Sequence, residues 1–460
     1  MSRRFDAIVI GGGQAGPSLA GRLTAAGKTV ALIERDRLGG TCVNTGCTPT
    51  KAMVASAYVA RAAARADDYG VLLPGPPMAD MRRVRDRAAA IASGSRDRLT
   101  EWLTGMNGLT LIQGHARFTA PDTIDVDGET LTAPKIFLNV GGRANVPPMP
   151  GLDQIDPLTN VSILALAELP RHLVVVGGSY IGLEFAQIFR RLGAQVTVVE
   201  MSPRLIARED EEISELIRAM LIAEGIEVRT SATCIAFAAH PDGAAVKVDC
   251  TEGAPEVIGS HVLLAIGRRP NTDDLGLDKA GVTTDARGYV TVDDRLATNV
   301  PGIWALGDCN GRGAFTHTAY NDYEIVASNL LDGADRKVSE RVSAYALYTD
   351  PPLGRVGMTE TQARETGRPI LVSTRPMTQV ARAIEKGETN GLMKVVADAE
   401  TQKILGAAIL GVGGDEAIHG IVDAMHADLA YPVLQWAVPI HPTVSELIPT
   451  LLGGLKATQN

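Results

Sequence analysis

The feature that most constrains the fold is a pattern that occurs twice, in Ala7–Asp36 and in Leu173–Ser202. The two segments read AIVIGGGQAGPSLAGRLTAAGKTVALIERD and LVVVGGSYIGLEFAQIFRRLGAQVTVVEMS, and their offset is 166 positions (173 minus 7). Each has an apolar run short enough for a buried strand, a Gly-rich turn, an amphipathic helical stretch and a second apolar run that leads to an acid. The repeat therefore predicts two β-α-β units of the Rossmann type.

The Gly-rich turns predict that both units bind dinucleotides. The first Gly permits the tight turn, the middle Gly lets the backbone approach a pyrophosphate at the helix N-terminus, and the third lets helix and strand pack closely. The acid at the end of the second strand accepts hydrogen bonds from ribose hydroxyls. The expected nucleotide-binding residues are Gly11, Gly13, Gly16 and Glu34 in the first unit, and Gly177, Ser179, Gly182 and Glu200 in the second.

The second unit departs from the pattern at its middle position, where Ser179 replaces Gly. Serine is the smallest substitute with a side chain, so we expect binding with a slightly altered phosphate contact. The carboxylate of Glu200 favours a free 2′-hydroxyl and repels a 2′-phosphate. NADH is therefore the expected cofactor and NADPH the alternative, and Arg204 lies close enough in sequence to weaken that preference.

The composition excludes several classes of protein. A chain of 460 residues is expected to form two to four domains. Its net charge of -9 argues against a nucleic-acid partner, which would need a basic face. No signal segment is visible, and no apolar run approaches the roughly 20 residues of a membrane span. We therefore predict no membrane partner and a cytoplasmic location.

Two of the five cysteines lie in GGTCVNTGCTPTK, Gly39–Lys51, and three interpretations of Cys42 and Cys47 are open. The first is a pair of buried thiols, because free cysteine often behaves as a small hydrophobe. The second is a metal site, but about four ligands are needed and neither a second CxxC motif nor a nearby His cluster supplies them, so no metal is expected. The third is a redox-active disulfide, which reducing conditions favour over a structural one.

The spacing of the two cysteines predicts a bend between them. Five steps along a regular helix separate Cα atoms by about 7.5 Å, beyond the roughly 4.4 to 6.8 Å of a disulfide. Asn44 and Gly46 permit the bend. Thr48 and Pro49 are typical of an N-cap and first helical position, or of a kink just inside a helix. Either way, Cys47 lies near a helix N-terminus, where a thiolate is stabilised.

The motifs of the chain resemble those of the flavin-dependent pyridine nucleotide-disulfide oxidoreductases. GGTCVNTGCTPTK fits that family's specific GGxCxNxGCxPxK motif, and GGSYIGLE, AIGRRPN, ALGDC, YTDPPLGRVGMTE and HPTVSE follow in the family's order. The resemblance covers essentially the whole chain. It implies an α/β fold with two Rossmann-like dinucleotide-binding domains, for FAD and NAD(P), and a C-terminal α+β dimerisation domain. The implied parts are 1–145 (FAD-binding, with the redox disulfide), 146–270 (NAD(P)-binding), 271–342 (a return to the first domain) and 343–460 (dimerisation).

The resemblance also implies a set of flavin contacts. Lys51 resembles the lysine placed near flavin N5 and paired with Glu184, where an ammonium would stabilise the reduced, anionic ring. Asp308 resembles the acid that binds the ribitol or pyrophosphate region. The segment Asn139–Gly142 reads NVGG where many relatives read ATG, and we expect it to adjust the loop beside the flavin. Further expected cofactor contacts are Thr41, Gly142, Gly267, Thr316 and His317.

The implied reaction runs through the cysteine pair. Electrons pass from NAD(P)H to FAD and then to the disulfide through Cys47, the sulfur nearer the ring, and Cys42 attacks the substrate. The departing thiolate needs an acid, and His441 in HPTVSE is the expected one, with Glu446 orienting its imidazole. In the family these two residues come from the partner subunit, so a homodimer is implied.

The expected activity is the NAD(P)H-dependent reduction of a small disulfide or an oxidised sulfur species. FTHTAYNDYEIV, Phe315–Val326, resembles the mercuric-reductase-like branch that includes hypothiocyanous acid reductases. Dihydrolipoamide dehydrogenase is the alternative. Mercuric reductase fits less well, because no cysteine follows Cys309 and His441 stands where those enzymes typically have tyrosine. A hypothesis of another class is a flavin-bound interaction or redox-sensing module whose thiols do not turn over.

Overall fold

The computed structural model describes residues 2–249 and 253–457. Two parallel sheets and a separate antiparallel C-terminal sheet confirm the predicted fold class. The chain begins with β1 (Arg3–Arg4), β2 (Ala7–Ile10), α1 (Ala15–Ala25), β3 (Val30–Glu34), α2 (Gly40–Thr45), α3 (Cys47–Ala64), α4 (Met81–Thr104), β4 (Leu109–Gln113), β5 (Ala116–Ala120), β6 (Thr123–Val126), β7 (Glu129–Thr132), β8 (Ile136–Leu138) and β9 (Gly142–Ala144).

The second stretch repeats the β-α-β pattern and adds an antiparallel ribbon. Its elements are α5 (Asn160–Ile163), β10 (His172–Val176), α6 (Tyr180–Leu192), β11 (Gln195–Val199), α7 (Glu211–Ala223), β12 (Glu227–Arg229), β13 (Thr233–His240), β14 (Gly243–Asp249), β15 (Glu256–Gly259), β16 (His261–Leu264) and β17 (Arg268–Pro270). Four of these strands form a parallel sheet in the order β12-β11-β10-β16, and β13, β14 and β15 form the ribbon.

The third stretch first returns to the first unit and then builds the C-terminal sheet. Its elements are α8 (Leu277–Ala280), β18 (Ile303–Ala305), α9 (Thr316–Leu331), β19 (Ala344–Leu347), β20 (Leu353–Gly357), α10 (Glu360–Glu365), β21 (Ile370–Pro376), α11 (Ala381–Glu385), β22 (Leu392–Asp398), β23 (Ile404–Leu410), α12 (Gly414–Ala417), α13 (His419–His426), α14 (Tyr431–Gln435), α15 (Leu447–Gly453) and β24 (Lys456–Ala457). Strand β18 completes the first parallel sheet, β18-β8-β2-β3-β4, and the C-terminal sheet has the order β19-β20-β23-β22-β21-β24.

The short apolar runs of the two repeats become the central strands of the two parallel sheets. All four residues of β2 are buried, and so are the last four of β10. Parallel sheets are covered on both faces, which is why these strands read as continuous apolar runs. Each run ends at a Gly-rich turn, so both turns lie at the carboxyl ends of parallel strands, where nucleotides bind in such folds.

Close packing explains the third glycine of each turn. A Cβ added to Gly16 would lie 2.3 Å from the carbonyl oxygen of Gly11, and one added to Gly182 would lie 2.1 Å from that of Gly177. Neither distance is compatible with a side chain, so α1 and α6 can approach their strands only with glycine at these positions.

None of the helices in the described part of the chain is long and apolar enough to cross a bilayer.

Buried charges join the second unit to the C-terminal sheet. Arg355 in β20 donates from Nε to Glu209 Oε2 over 3.0 Å, and both side chains are fully buried. The hydroxyl of Tyr345 donates to the other oxygen of Glu209 over 2.6 Å. Lys394 in β22 lies 3.3 Å from the carboxylate of Asp210. These pairs hold β19, β20 and β22 against the segment that precedes α7.

Candidate active site

The two cysteines lie on either side of a sharp bend. Cys42 is within α2, Cys47 begins α3, and Gly46 separates them. A Cβ added to Gly46 would lie 2.8 Å from the carbonyl oxygen of Thr41, so the bend requires glycine. The bend predicted between the cysteines is therefore present.

Within residues 2–249 and 253–457, no group of three or more His, Cys, Asp or Glu side chains could hold a metal ion.

Helix α3 begins at Cys47 itself. Thr48 and Pro49 lie inside its first turn and do not precede it, because the chain turns at Gly46, whose carbonyl accepts the N–H of Thr50 over 3.0 Å. The sulfur of Cys47 is thus at the N-terminal end of an 18-residue helix, where the helix dipole favours a negative charge.

The two thiols differ strongly in acidity. The hydrogen bond from the Cys42 thiol is the main reason that the pKa of Cys47 is lowered to about 6. The hydroxyl of Thr316, whose Oγ1 lies 3.6 Å from the sulfur, and the Lys51 ammonium lower it further, while burial and Glu184 act in the opposite direction. The same hydrogen bond and burial raise the pKa of Cys42. At neutral pH, Cys47 is therefore the thiolate and Cys42 the thiol.

The structure brings together the predicted pair of Lys51 and Glu184. The ammonium of Lys51 lies 2.8 and 3.0 Å from the two carboxylate oxygens of Glu184. Lys51 follows Cys47 by four residues in α3, so both are on one face of the helix. Glu184 belongs to α6 and its side chain is buried, so the first and second units meet at this pair.

The acids that follow the two Gly-rich turns have the same geometry. One carboxylate oxygen of Glu34 accepts the N–H of Gly12 over 2.8 Å, and one oxygen of Glu200 accepts the N–H of Gly178 over 2.6 Å. The other oxygen of each accepts a backbone N–H two residues further along. Both carboxylates are thus held at the edge of the turn. A Cβ added to Gly13 would lie 3.4 Å from Nδ2 of Asn139, an ordinary van der Waals contact, so packing within the protein does not itself require glycine here.

Arg268, which the sequence analysis did not single out, joins several predicted contacts. Its Nη2 lies 3.3 Å from Oδ2 of Asp308 and donates to the carbonyl of Gly142 over 2.5 Å and to Oγ1 of Thr41 over 3.5 Å. Burial raises the pKa of Asp308, and Arg268 opposes that rise. The arginine follows Gly267, whose φ of +106° requires glycine. The sequence feature that could have identified Arg268 is its position directly after Gly267.

Asn139 lies beneath the first Gly-rich turn. Its Nδ2 donates to the carbonyl of Gly11 over 3.0 Å, and a Cβ added to Gly16 would lie 2.8 Å from the same nitrogen. The side chain is buried. The unusual NVGG segment therefore supports the turn from below, and its departure from the family pattern was the only sign of this in the sequence.

Thr316 and His317, two predicted flavin contacts, begin α9 and have different surroundings. Thr316 reaches Cys47, as described above. His317 donates from Nε2 to the carbonyl of Ala344 over 2.7 Å, and its ring stacks on Phe315 with 5.4 Å between the ring centroids. Burial lowers the pKa of His317. Of these two residues, only Thr316 has a hydrogen bond to a cysteine in the described part of the chain.

His441 and Glu446 are paired as predicted, on the surface of the C-terminal part. Nδ1 of His441 lies 2.8 Å from Oε2 of Glu446, so Nδ1–H donates and Nε2 is left for another partner. The side chain of His441 is 76% exposed, whereas that of Glu446 is 14% exposed. No hydrogen bond between His441 and either Cys42 or Cys47 occurs within the residues that the structure describes.

Comparisons with known proteins agree with this geometry. The profile of the pyridine nucleotide-disulphide oxidoreductase family matches residues 5–322, and that of the family's dimerisation domain matches residues 343–452. The chain is 34% identical over 461 aligned positions to the probable pyridine nucleotide-disulfide oxidoreductase RclA of Escherichia coli strain K12, covering 98% of this chain and 100% of that one. It is 33% identical to a mercuric reductase of Staphylococcus aureus, covering 98% of this chain and 81% of the relative.

A solved structure is also closely similar. It is the Cu(II) complex of the HOCl-induced flavoprotein disulfide reductase RclA from Escherichia coli, with a TM-score of 0.89, 34% identity, and coverage of 98% of this chain and 99% of that chain. The matching dimerisation domain supports a homodimer. The chain therefore belongs to the pyridine nucleotide-disulfide oxidoreductase family and is an FAD-dependent oxidoreductase that uses a pyridine nucleotide.

Proposed function

We propose that this enzyme is an NADH-dependent reductase of small disulfides or oxidised sulfur species, and that Cys42 and Cys47 are its reacting sulfurs. The observation that supports this most is the pair of unequal thiols, a thiolate at Cys47 beside a protonated Cys42. Disulfide exchange needs a thiolate, and a second thiol nearby can complete the exchange.

The residues present fit FAD. Gly13 has no side chain that would block the approach of a pyrophosphate to the turn, Glu34 is held for a ribose, and Asp308 lies at the carboxyl end of the same sheet. When bound, FAD takes up two electrons from the nicotinamide and delivers them to a sulfur pair. Lys51 would hold a positive charge beside the ring, with Thr316 at the sulfur of Cys47.

The two thiols of the reduced pair then act in turn. Cys42 loses its proton to a base, and its sulfur attacks a substrate disulfide, which releases one thiolate and leaves a mixed disulfide. The thiolate of Cys47 next attacks the sulfur of Cys42, which releases the second thiolate and forms the Cys42–Cys47 disulfide. The pair has thus lost two electrons and the substrate has gained them. Because the pKa of Cys42 is raised, this cysteine needs the base.

We propose His441 of the partner subunit as that base, and as the acid that later protonates the leaving thiolate. Its Nε2 is free to take a proton because Nδ1 is bonded to Glu446, whose carboxylate orients the ring. Its exposure in one subunit is consistent with a role at the other subunit's cysteines.

We also propose that the boundaries between the domains fall after residues 145, 270 and 342. Residues 458–460, at the end of the expected dimerisation domain, lie outside the residues that the structure describes.

The preference for NADH follows from Glu200. Its carboxylate is held beside the second Gly-rich turn, where it would accept from a 2′-hydroxyl and repel a 2′-phosphate. Arg204, the nearby cation, lies 3.8 Å from Glu211, which offsets part of its charge. Ser179 at the middle of the turn is expected to contact the pyrophosphate in place of glycine.

The relatives suggest which acceptors to test. RclA is described as HOCl-induced, which favours an oxidised sulfur species such as hypothiocyanous acid. A second candidate is lipoamide, the disulfide form of dihydrolipoamide, because the dihydrolipoyl dehydrogenase of Thermus scotoductus is 34% identical over 96% of both chains. Mercuric reductases match as well, but this chain has no cysteine after Cys309 to pass on the metal.

A steady-state comparison separates these candidates. NADH and NADPH oxidation should be measured against hypothiocyanite, a panel of small disulfides, lipoamide and Hg(II). We expect NADH to be preferred and the highest kcat/KM with hypothiocyanite or a small disulfide. Fastest turnover with lipoamide would identify the second candidate, and a preference for NADPH would contradict the role given to Glu200.

The variant Cys42→Ser tests the roles of the sulfurs. We expect turnover of disulfides to be lost, because the attacking sulfur is gone, while NADH still reduces the flavin at close to the wild-type rate in stopped-flow experiments. Loss of flavin reduction in this variant would contradict the assigned roles. Wild-type protein that develops no long-wavelength thiolate-to-flavin absorbance on two-electron reduction would instead be a flavin-bound sensing module.

A further inference from the structure

Tyr348 approaches the Lys51–Glu184 pair from the C-terminal part of the chain. It directly follows β19, and the face of its ring lies under the ammonium of Lys51, with 4.5 Å between Nζ and the ring centroid. This distance is within the range of a cation–π interaction. The backbone N–H of Tyr348 also donates to Oε1 of Glu184 over 3.1 Å. One residue thus contacts both members of the pair.

Three parts of the molecule meet at one ammonium. Lys51 comes from α3 of the first unit, Glu184 from α6 of the second, and Tyr348 from the C-terminal sheet. A lysine side chain has four rotatable bonds and adopts one position only where its neighbours restrict it. Glu184 binds the ammonium on one side, and the ring of Tyr348 covers it on another.

We propose that Tyr348 is a positioning residue that holds the Lys51 ammonium in place, and that through Lys51 it sets the acidity of the Cys47 thiol. This inference deepens the proposed function and rests on it. The inference concerns the position of the Lys51 charge, and it assigns Tyr348 no direct contact with the reacting sulfurs.

The charges around Cys47 explain why the position of Lys51 matters. The groups that act on the sulfur are the Cys42 thiol, the Thr316 hydroxyl, the Lys51 ammonium and the Glu184 carboxylate, and Cys47 in turn acts on the Tyr348 phenol. Lys51 and Glu184 act with opposite sign. If the ammonium moves away, the buried carboxylate of Glu184 still raises the pKa of Cys47 and is no longer offset by Lys51.

Three variants of the holoenzyme test this inference, each in a Cys42→Ser background, where serine can still donate to Cys47 and no disulfide forms. They are Tyr348→Leu, which removes the ring, Tyr348→Phe, which keeps it, and Tyr348→Met, which fills the space without a π face if leucine prevents folding. The readout is the rate of Cys47 alkylation by iodoacetamide as a function of pH.

We expect Tyr348→Leu to raise the midpoint of this profile by about half a unit to one unit. Tyr348→Phe should leave the midpoint unchanged, because the ring and the backbone N–H are retained. In a Lys51→Met background, the midpoint should already be raised, and Tyr348→Leu should add nothing. Equal midpoints in the leucine and phenylalanine variants, or an equal shift with and without Lys51, would overturn the inference.

The flavin spectrum separates this inference from the proposed function. In the Cys42→Ser holoenzyme, the thiolate of Cys47 should give long-wavelength absorbance whose pH midpoint follows the alkylation profile. Absence of that absorbance at every pH would remove the proposed role of Cys47 beside the flavin. The alkylation profiles would still decide whether Tyr348 acts through Lys51.

Discussion

Arg355 shows how a single buried charge is stabilised in the interior of this protein. Its side chain is 1% exposed and is bound to the equally buried carboxylate of Glu209. Burial alone would lower the pKa of Arg355, but Glu209 holds that pKa above its usual value. Glu209 in turn accepts from Tyr345, whose ring stacks on Phe315 next to Thr316. The ion pair therefore supports the side of the site that Thr316 forms.

We expect Arg355→Met to lower the free energy of unfolding by about 3 to 5 kcal/mol, because it leaves the buried charge of Glu209 without its cation. Thermal unfolding followed by circular dichroism would measure the change. Adding Glu209→Gln should recover a large part of the loss. The control is Arg3→Met, whose pair with Glu129 is exposed and should be worth about 1 kcal/mol or less. Similar losses in both variants would contradict this account.

Helices α1 and α6 each begin beside one of the two expected nucleotide sites. Both follow a Gly-rich turn, and both are packed so closely on it that the third glycine has no room for a Cβ. The same local structure thus occurs at two places with different expected ligands, FAD at the first and NADH at the second. A defect in one helix should therefore affect one cofactor only.

We expect Gly16→Ala to reduce bound FAD, measured as flavin absorbance per protein. Gly182→Ala should retain FAD and slow its reduction by NADH by about 5- to 150-fold, as expected for about 1 to 3 kcal/mol of overpacking. Gly94→Ala in α4 is the matched control, because its Cβ would meet only the end of Arg98 at 3.5 Å. Loss of FAD from Gly182→Ala would contradict the separate roles of the two helices.

The whole molecule is expected to act as a homodimer, and its surface is consistent with one. Trp436, Val438 and Ile440 are almost fully exposed in the segment that leads to His441. Soluble monomers rarely expose large contiguous apolar patches. A partner that covers this segment would also receive the imidazole of His441 at its own site.

Mixed dimers test whether His441 acts across the interface. When Cys42→Ser and His441→Ala chains are co-expressed, a mixed dimer should contain one intact site, formed by the wild-type cysteine of one chain and the wild-type histidine of the other. Random pairing should then give about a quarter of the wild-type activity. The measurement is disulfide turnover by the mixed preparation and by each homodimer. Activity no higher than that of the homodimers would show that His441 does not act in the partner.

Much of the candidate site could be predicted, because its motifs are local. The glycines of both turns, the bend between the cysteines and the pairing of His441 with Glu446 each depend on residues close together in sequence. The pairing of Lys51 with Glu184 spans 133 positions and was expected only from the family resemblance. The contacts of Arg268 with Thr41, 227 positions away, and of Tyr348 with Lys51 were not predicted. No pattern of spacing relates such residues, since they come from different units.

The sequence alone determined the two β-α-β units, because apolar runs and glycines restrict the backbone wherever they occur. It also determined that Cys47 would lie near a helix N-terminus. The tertiary structure decided how acidic Cys47 becomes and what surrounds Lys51. Beyond the hydrogen bond from the neighbouring Cys42, the acidity of Cys47 depends on Thr316 and Glu184, and Lys51 is contacted by Glu184 and Tyr348. Electrostatic effects fall off with distance in space, whatever the separation along the chain.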